Sequence, residues 1–185
     1  GTYKPDLGTG NREYSFRPVE GVTIYGGFAG TETQLAQRNV ATNLTRLSGD
    51  IGVAGVVTDN SYHVVNNSGL GATAILDGFV IERGQADADF YPHYAGGGVL
   101  ADCTSAVLRN CTIQDNHAYF VGGGAQVQQG QARFENCTFQ RNDAEYGGGV
   151  ENFEALPTYI GCTFAANEAL AGGGALHLNS TSATI

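Results

Sequence analysis

The sequence predicts an all-β solenoid, and three observations carry that prediction. Triple-glycine runs recur at Gly96-Gly97-Gly98, Gly122-Gly123-Gly124, Gly147-Gly148-Gly149 and Gly172-Gly173-Gly174, at steps of 26, 25 and 25 residues. A second landmark keeps the same step: Cys111-Thr112-Ile113, Cys137-Thr138-Phe139 and Cys162-Thr163-Phe164, each followed three residues later by Asn116, Asn142 or Asn167. No unit shows helical periodicity, and about 25 residues is too short for a helix pair but suits one coil of stacked strands.

The first element stretch, residues 1–70, predicts irregular, decorated coils. Its strand candidates are Tyr14 to Arg17, Val22 to Tyr25, Arg46 to Gly49 and Tyr62 to Asn66, separated by Gly, Asn and Asp. Gly30 to Arg38 carries a helix signal, with Thr31 or Thr33 as its cap.

Residues 71–185 predict regular coils of the same single domain. Leu76 to Ala86 aligns with Leu108 to Ala118 at a step of 32, so the surplus residues form an outward loop insertion at 87–94. Insertions in solenoids map to surface loops and often to a binding face. Asp87 and Asp89 offer oxygens for a calcium ion, and Tyr91, His93 and Tyr94 offer rings to a sugar; a solvated loop packing its own aromatics is the plainer alternative.

Within each coil, residues two apart share a strand face. That places Ile81, Ile113, Phe139 and Phe164 in one buried column and Cys111, Cys137 and Cys162 in another. Neighbouring rungs are about 4.8 Å apart with parallel Cβ vectors, so the column is expected to hold unbridged thiols that serve as small apolar residues, with no metal template among them. Cys103 lies off the column. The asparagines fall where the strand turns, and Asn tolerates left-handed backbone while its amide reaches the next rung. Outward, Asp77, Arg109 and Glu135 form one column of alternating charge, and Arg83, Asp115 and Arg141 form another, each stabilised by opposed charges on neighbouring strands.

Composition excludes some functions. A net charge of −9 with one lysine gives no nucleic-acid footprint and no attraction to an anionic membrane, and no apolar run reaches the ~18 residues of a membrane helix.

The segments Phe139-Gln140-Arg141-Asn142 and Phe164-Ala165-Ala166-Asn167 match an FxxN motif, and Gly173-Gly174-Ala175-Leu176 a GGA(I/L/V) motif. In these the chain resembles the repeats of chlamydial polymorphic outer-membrane proteins, with Ile113 in place of Phe, and Val99 and Val150 in place of Ala. Gly21 to Thr33, Leu47 to Ile51 and Asp59 to Val65 are similar to right-handed parallel β-helix repeat proteins of bacterial surfaces. The resemblance covers nearly the whole chain. It implies a right-handed parallel β-helix in an exported, extracellular or cell-surface protein, with structural and adhesin-like members and motifs that are not catalytic.

Taken together these readings predict a non-enzymatic structural or adhesive module of a surface or filament protein. No cofactor is expected beyond the calcium option at 87–89. Expected partners are further coils of a longer chain, or an end-to-end copy of the same chain, and a glycan or host-surface ligand. Two alternatives stay open: a polysaccharide lyase or glycoside hydrolase, which needs a groove lined by several carboxylates and an arginine beside the loop, and a carbohydrate-binding module, which needs exposed coplanar aromatics without such carboxylates.

Overall fold

The computed structural model describes residues 1–180 and 183–185, and its described residues are nearly all β. An irregular start lays down β1 (Thr2–Tyr3), β2 (Thr23–Tyr25) and β3 (Thr45–Ser48). A four-strand order then repeats: β4 (Val65–Asn66), β5 (Ile75–Asp77), β6 (Phe79–Glu82) and β7 (Gln85–Ala86); next β8 (Val99–Asp102), β9 (Val107–Arg109), β10 (Thr112–Gln114) and β11 (His117–Ala118). The third coil holds β12 (Ala125–Gln128), β13 (Arg133–Glu135), β14 (Thr138–Gln140) and β15 (Asp143–Tyr146), and the fourth β16 (Val150–Phe153), β17 (Thr158–Ile160), β18 (Thr163–Ala165) and β19 (Glu168–Gly172), followed by β20 (Leu176–Asn179).

Each position in the coil builds one parallel sheet, so four sheets run the length of the molecule. The first stacks β4, β8, β12, β16 and β20, the second β2, β5, β9, β13 and β17. The third stacks β1, β3, β6, β10, β14 and β18, and the fourth β7, β11, β15 and β19. This is the pattern of a parallel β-solenoid.

The interior is a set of register columns. Ile81, Ile113, Phe139 and Phe164 face one another rung by rung. Leu76, Leu108, Phe134 and Tyr159 form a second column. Phe134 stacks on Tyr159 at 5.3 Å and Phe139 on Phe164 at 5.0 Å, both pairs nearly coplanar. Cys111 and Cys137 are buried, Cys162 is half-buried, and all are free thiols. Cys103 sits apart and exposed, at a corner.

Corners explain why the coil has four sides. Each is turned by a residue with positive φ: Gly96, Gly122, Gly147 and Gly173 enter the first sheet, and Cys103, Gln129, Glu154 and Ser180 leave it. Asn110, Asn136 and Gly161 join the second sheet to the third, and Arg83, Asp115, Arg141 and Ala166 join the third to the fourth. The left-handed residue is therefore the one before Asn116, Asn142 and Asn167, which corrects the expectation for these asparagines. Their amides do a different job. The Nδ2 groups of Asn116, Asn142 and Asn167 donate to the carbonyls of Ile81, Ile113 and Phe139, at 3.1, 2.9 and 2.8 Å. The Oδ1 of Asn142 in turn accepts from the backbone and side-chain amides of Asn116, and that of Asn167 from those of Asn142. The result is a buried amide ladder.

The triple glycines have three separate causes, clear in the run at 122–124. Gly122 turns the corner at φ +67°. A side chain on Gly123 would collide with the backbone of Asp143 in the fourth sheet, and one on Gly124 with the carbonyl of Gly149 and the Asn142 amide. Backbone thus packs directly on backbone where the fourth sheet folds against the entry to the first.

Other expectations are corrected. The last run is displaced by one residue: Tyr146 pairs with Gly172 and Val150 with Leu176, so Gly173, not Gly172, turns the corner. The surplus residue is taken up as a bulge in β19, where Leu170 projects at 92% exposure. In this register Ala175 stands opposite Gly149 and Leu176 opposite Val150, so glycine, not valine, replaces the motif's alanine. Tyr14 to Arg17 forms only a single bridge, Phe16 to Val65, while β1 has no counterpart among the predicted strands. The helix signal reduces to one 3-10 turn, Leu35–Gln37. Its opening amides, on Thr33 and Gln34, are received by the Gln37 side chain and not by a threonine cap.

Candidate functional site

The insertion loop was the predicted site, and it is largely turned inward. Arg12 pairs with Asp87 at 2.7 Å, donates to the Asn60 and Gln85 carbonyls, and lies 4.1 Å over the Tyr62 ring. His93 stacks on Tyr62 at 4.3 Å with its Nε2 2.9 Å from Glu13. Asp87 and His93 are thereby engaged in anchoring the loop to the N-terminal coil, while Asp89 is exposed on the outside. Among the described residues no group of three or more His, Cys, Asp or Glu side chains converges. Tyr91 and Tyr94 behave differently: they continue into a surface feature that the loop begins.

That feature is a column of rings at the corner between the fourth and first sheets. Tyr91 lies 5.8 Å from Tyr94, Tyr94 5.7 Å from Phe120, Phe120 5.5 Å from Tyr146, and Tyr146 5.2 Å from His177. Phe120 is close to perpendicular to both tyrosines that flank it, at 87° and 80°. Phe120 is 40% and Tyr91 39% exposed. Phe120, Tyr146 and His177 escaped the sequence reading. A signal was present: an aromatic stands within two residues before Gly96, Gly122 and Gly147, the three glycines that turn this corner.

Beside the rings, alternation along the first sheet puts Val99, Ala101, Ala125, Val127 and Val150 inside and the intervening residues outside. The outward columns are Leu100, Gln126, Glu151 and His177, and Asp102, Gln128, Phe153 and Asn179. Glu151 is bonded to His177, and burial holds its carboxyl above the usual carboxylate range against the opposing effect of that bond. Tyr91 donates to Asp102 at 3.2 Å. Gln126 donates to Gln128 at 3.2 Å while its own Oε1, and the Asp102 Oδ1, have no partner.

Two concave surfaces lie on and beside the fourth sheet. On the fourth sheet, a hollow of about 820 Å³ is lined by His117, Tyr119, Asp143, Glu145, Glu168 and Leu170. The Asp143 carboxylate accepts from His117 at 2.6 Å and raises the imidazole pKa above its ordinary value. At the junction of the third and fourth sheets, a groove of about 500 Å³ is lined by Arg46, Glu82, Arg83, Gln85, Gln114 and Asp115.

The charges of that groove are mutually satisfied. Glu82 receives Arg46 at 2.6 Å and Gln114 at 2.9 Å, and Gln140 extends the chain to Gln114 at 2.9 Å. Arg141 forms a two-pronged pair with Asp115 at 2.8 and 2.9 Å. Of the predicted charge columns, Arg109 does bind Glu135, joined there by Arg133. The other ends depart from expectation because loops intervene: Asp77 is held by Arg38 at 2.8 Å and Asn110, and Arg83 by Asp50 at 2.8 Å. No helix among the described residues is long and apolar enough to cross a membrane. No family model, curated protein or solved structure matches the chain.

Proposed function

We propose that the chain is a non-catalytic, extracellular structural and adhesive module, a right-handed solenoid segment of a bacterial surface or filament protein. The handedness follows the general preference of parallel strand connections, right-handed in about 98% of cases. One observation carries the reading. The carboxylates on and beside the second and third sheets, Asp50, Asp77, Glu82, Asp115 and Glu135, are each bound to arginine. Such pairs stiffen a stack of rungs, and they occupy the acids and arginines of the groove between the third and fourth sheets with one another. Adhesion is supported by the exposed ring column, which a purely structural spacer does not need.

The groove favours a second reading, a polysaccharide lyase or hydrolase, because it brings Arg46, Arg83, Glu82 and Asp115 into one concavity. Incubation with neutral and acidic polysaccharides, read as new reducing ends or unsaturated products, separates the two. The structural reading expects no turnover. Turnover that disappears on Arg83→Ala or Asp115→Asn would replace it with the enzyme.

A further inference from the structure

We infer that the ring column from Tyr91 through Tyr94, Phe120 and Tyr146 to His177 is a binding site for an uncharged polysaccharide chain lying along the solenoid axis. This deepens the adhesive reading and rests on it.

Neighbouring rings lie 5.2 to 5.8 Å apart, and Tyr94, Phe120, Tyr146 and His177 come from successive turns of the solenoid, with Tyr91 extending the series within the insertion loop. A linear array of that pitch fits an extended chain of small rings better than a compact ligand. Tyrosine and phenylalanine also offer rigid apolar area at little entropic cost, and the tyrosine hydroxyl adds a polar tip, which suits sugars with one apolar and one hydroxylated side.

Hydrogen-bonding capacity is left over beside the rings. Gln126 is only 4% exposed, yet its Oε1 has no partner, and neither has the Asp102 Oδ1. Buried polar atoms are almost always paired, so orphans beside an exposed aromatic line point to a ligand that supplies hydroxyl donors. Gln128 and Asn179 continue the polar strip in the next outward column.

Charge selects against the other occupants. The first sheet contributes Asp102 and Glu151 and contains no lysine or arginine in any of its strands. Acidic polysaccharides, nucleic acids and anionic lipid surfaces would all meet like charge there. A second copy of the chain, itself at −9, would face the same repulsion.

Access is consistent as well. Tyr91 and Phe120 are more than one-third exposed, and Tyr91 hangs from the insertion loop whose base Arg12 and His93 fix in place. The loop end of the column is therefore presented on a braced surface.

The test uses the full chain and neutral hexasaccharides of glucose, xylose, mannose and N-acetylglucosamine, with oligogalacturonate as the acidic probe. Binding is read by calorimetry and by tyrosine fluorescence, which no tryptophan obscures in this sequence. The expected result is saturable binding of at least one neutral hexasaccharide and none of oligogalacturonate. Phe120→Ala and Tyr146→Ala should each weaken it tenfold or more, and Gln128→Ala, a surface change that leaves the rings intact, severalfold. Tyr119→Ala, in the neighbouring hollow, should leave it unchanged. Binding to none of the neutral probes, equal loss in Tyr119→Ala, or tight binding of oligogalacturonate would overturn the inference.

Particles coated with the chain and offered to a panel of intact cells, before and after enzymatic deglycosylation, separate the two levels. Attachment that survives deglycosylation sinks the glycan site and leaves the adhesive reading standing. Attachment to no cell type sinks the adhesive reading itself.

Discussion

Among single residues, the glycines show how far identical letters differ in what they are for. A side chain on Gly148 would strike the backbone of Glu168, whereas one on Gly172 would meet the Tyr146 ring at 3.4 Å and the His177 ring at 3.6 Å, both ordinary contacts, and neither residue has positive φ. Gly148→Ala is therefore expected to destabilise the fold by about 3 kcal/mol or more, because neither backbone can retreat from the collision. Gly172→Ala should change stability by no more than about 0.5 kcal/mol. Denaturant midpoints of the two variants measure the difference, and equal losses would refute the register assigned to the last coil. The recurrence of these runs was legible because backbone geometry leaves glycine no substitute. The one-residue slip was not, since a bulge at Leu170 costs a solvent-exposed strand little and so leaves no compositional trace. Binding residues were harder still: Asp87 and His93 look like a surface loop in sequence, and only the partners Arg12 and Tyr62, more than thirty residues away along the chain, turn them inward.

Strands as short as these cannot stand alone, and ladders of identical side chains tie one coil to the next. Asn142 shows the energetics. Its Oδ1 receives two donors from Asn116, and its Nδ2 gives to the Ile113 carbonyl at 2.9 Å and to Asn167 Oδ1 at 3.0 Å, the first three of these bonds away from water. Asn142→Ala orphans at least one buried amide and one carbonyl, at about 1–3 kcal/mol each, so a loss of about 3 kcal/mol is expected. Asn142→Asp keeps the shape and the acceptor but removes both donors and adds charge beside two carbonyl-type oxygens, and it should cost at least as much. Equilibrium unfolding reads both; an Asp variant as stable as the parent would show that the ladder's donors carry no weight. This column was visible in sequence as a recurring Asn, and its role as inter-rung glue was anticipated. Its backbone conformation was misplaced by one residue, because the turn and the amide it frees are adjacent and sequence spacing alone does not separate them.

On the scale of the whole molecule, the irregular N-terminal third and the insertion loop act together as a cover, and His63 lies beneath it. The imidazole is buried, donates through Nδ1 to the Gly96 carbonyl at 3.1 Å, leaves Nε2 without a partner, and has the His93 ring 5.6 Å away. Burial, helped by the charge of His93, lowers its pKa from 6.5 to about 4. In the unfolded chain the same ring takes up a proton near pH 6.5. Between those two values the unfolded state binds more protons than the folded one, so stability must fall as pH falls, by about 3 kcal/mol on reaching pH 4. His117 works in the opposite sense: Asp143 raises its pKa, so its contribution is present in acid and fades as pH rises through the folded value. Its exposure to solvent keeps that contribution the smaller of the two. Because a domain of this kind has only about 5–15 kcal/mol in hand, His63 should dominate acid sensitivity above the carboxylate range. His63→Gln retains a donor for Gly96 without the titration, and is expected to flatten the stability profile between pH 6.5 and pH 4.5 while leaving the plateau near pH 8 within about 1 kcal/mol. Urea midpoints at half-unit pH intervals give the comparison. A variant profile parallel to that of the parent across this window would place the acid-labile group elsewhere, and would mean that the cover opens before His63 is asked to hold a proton.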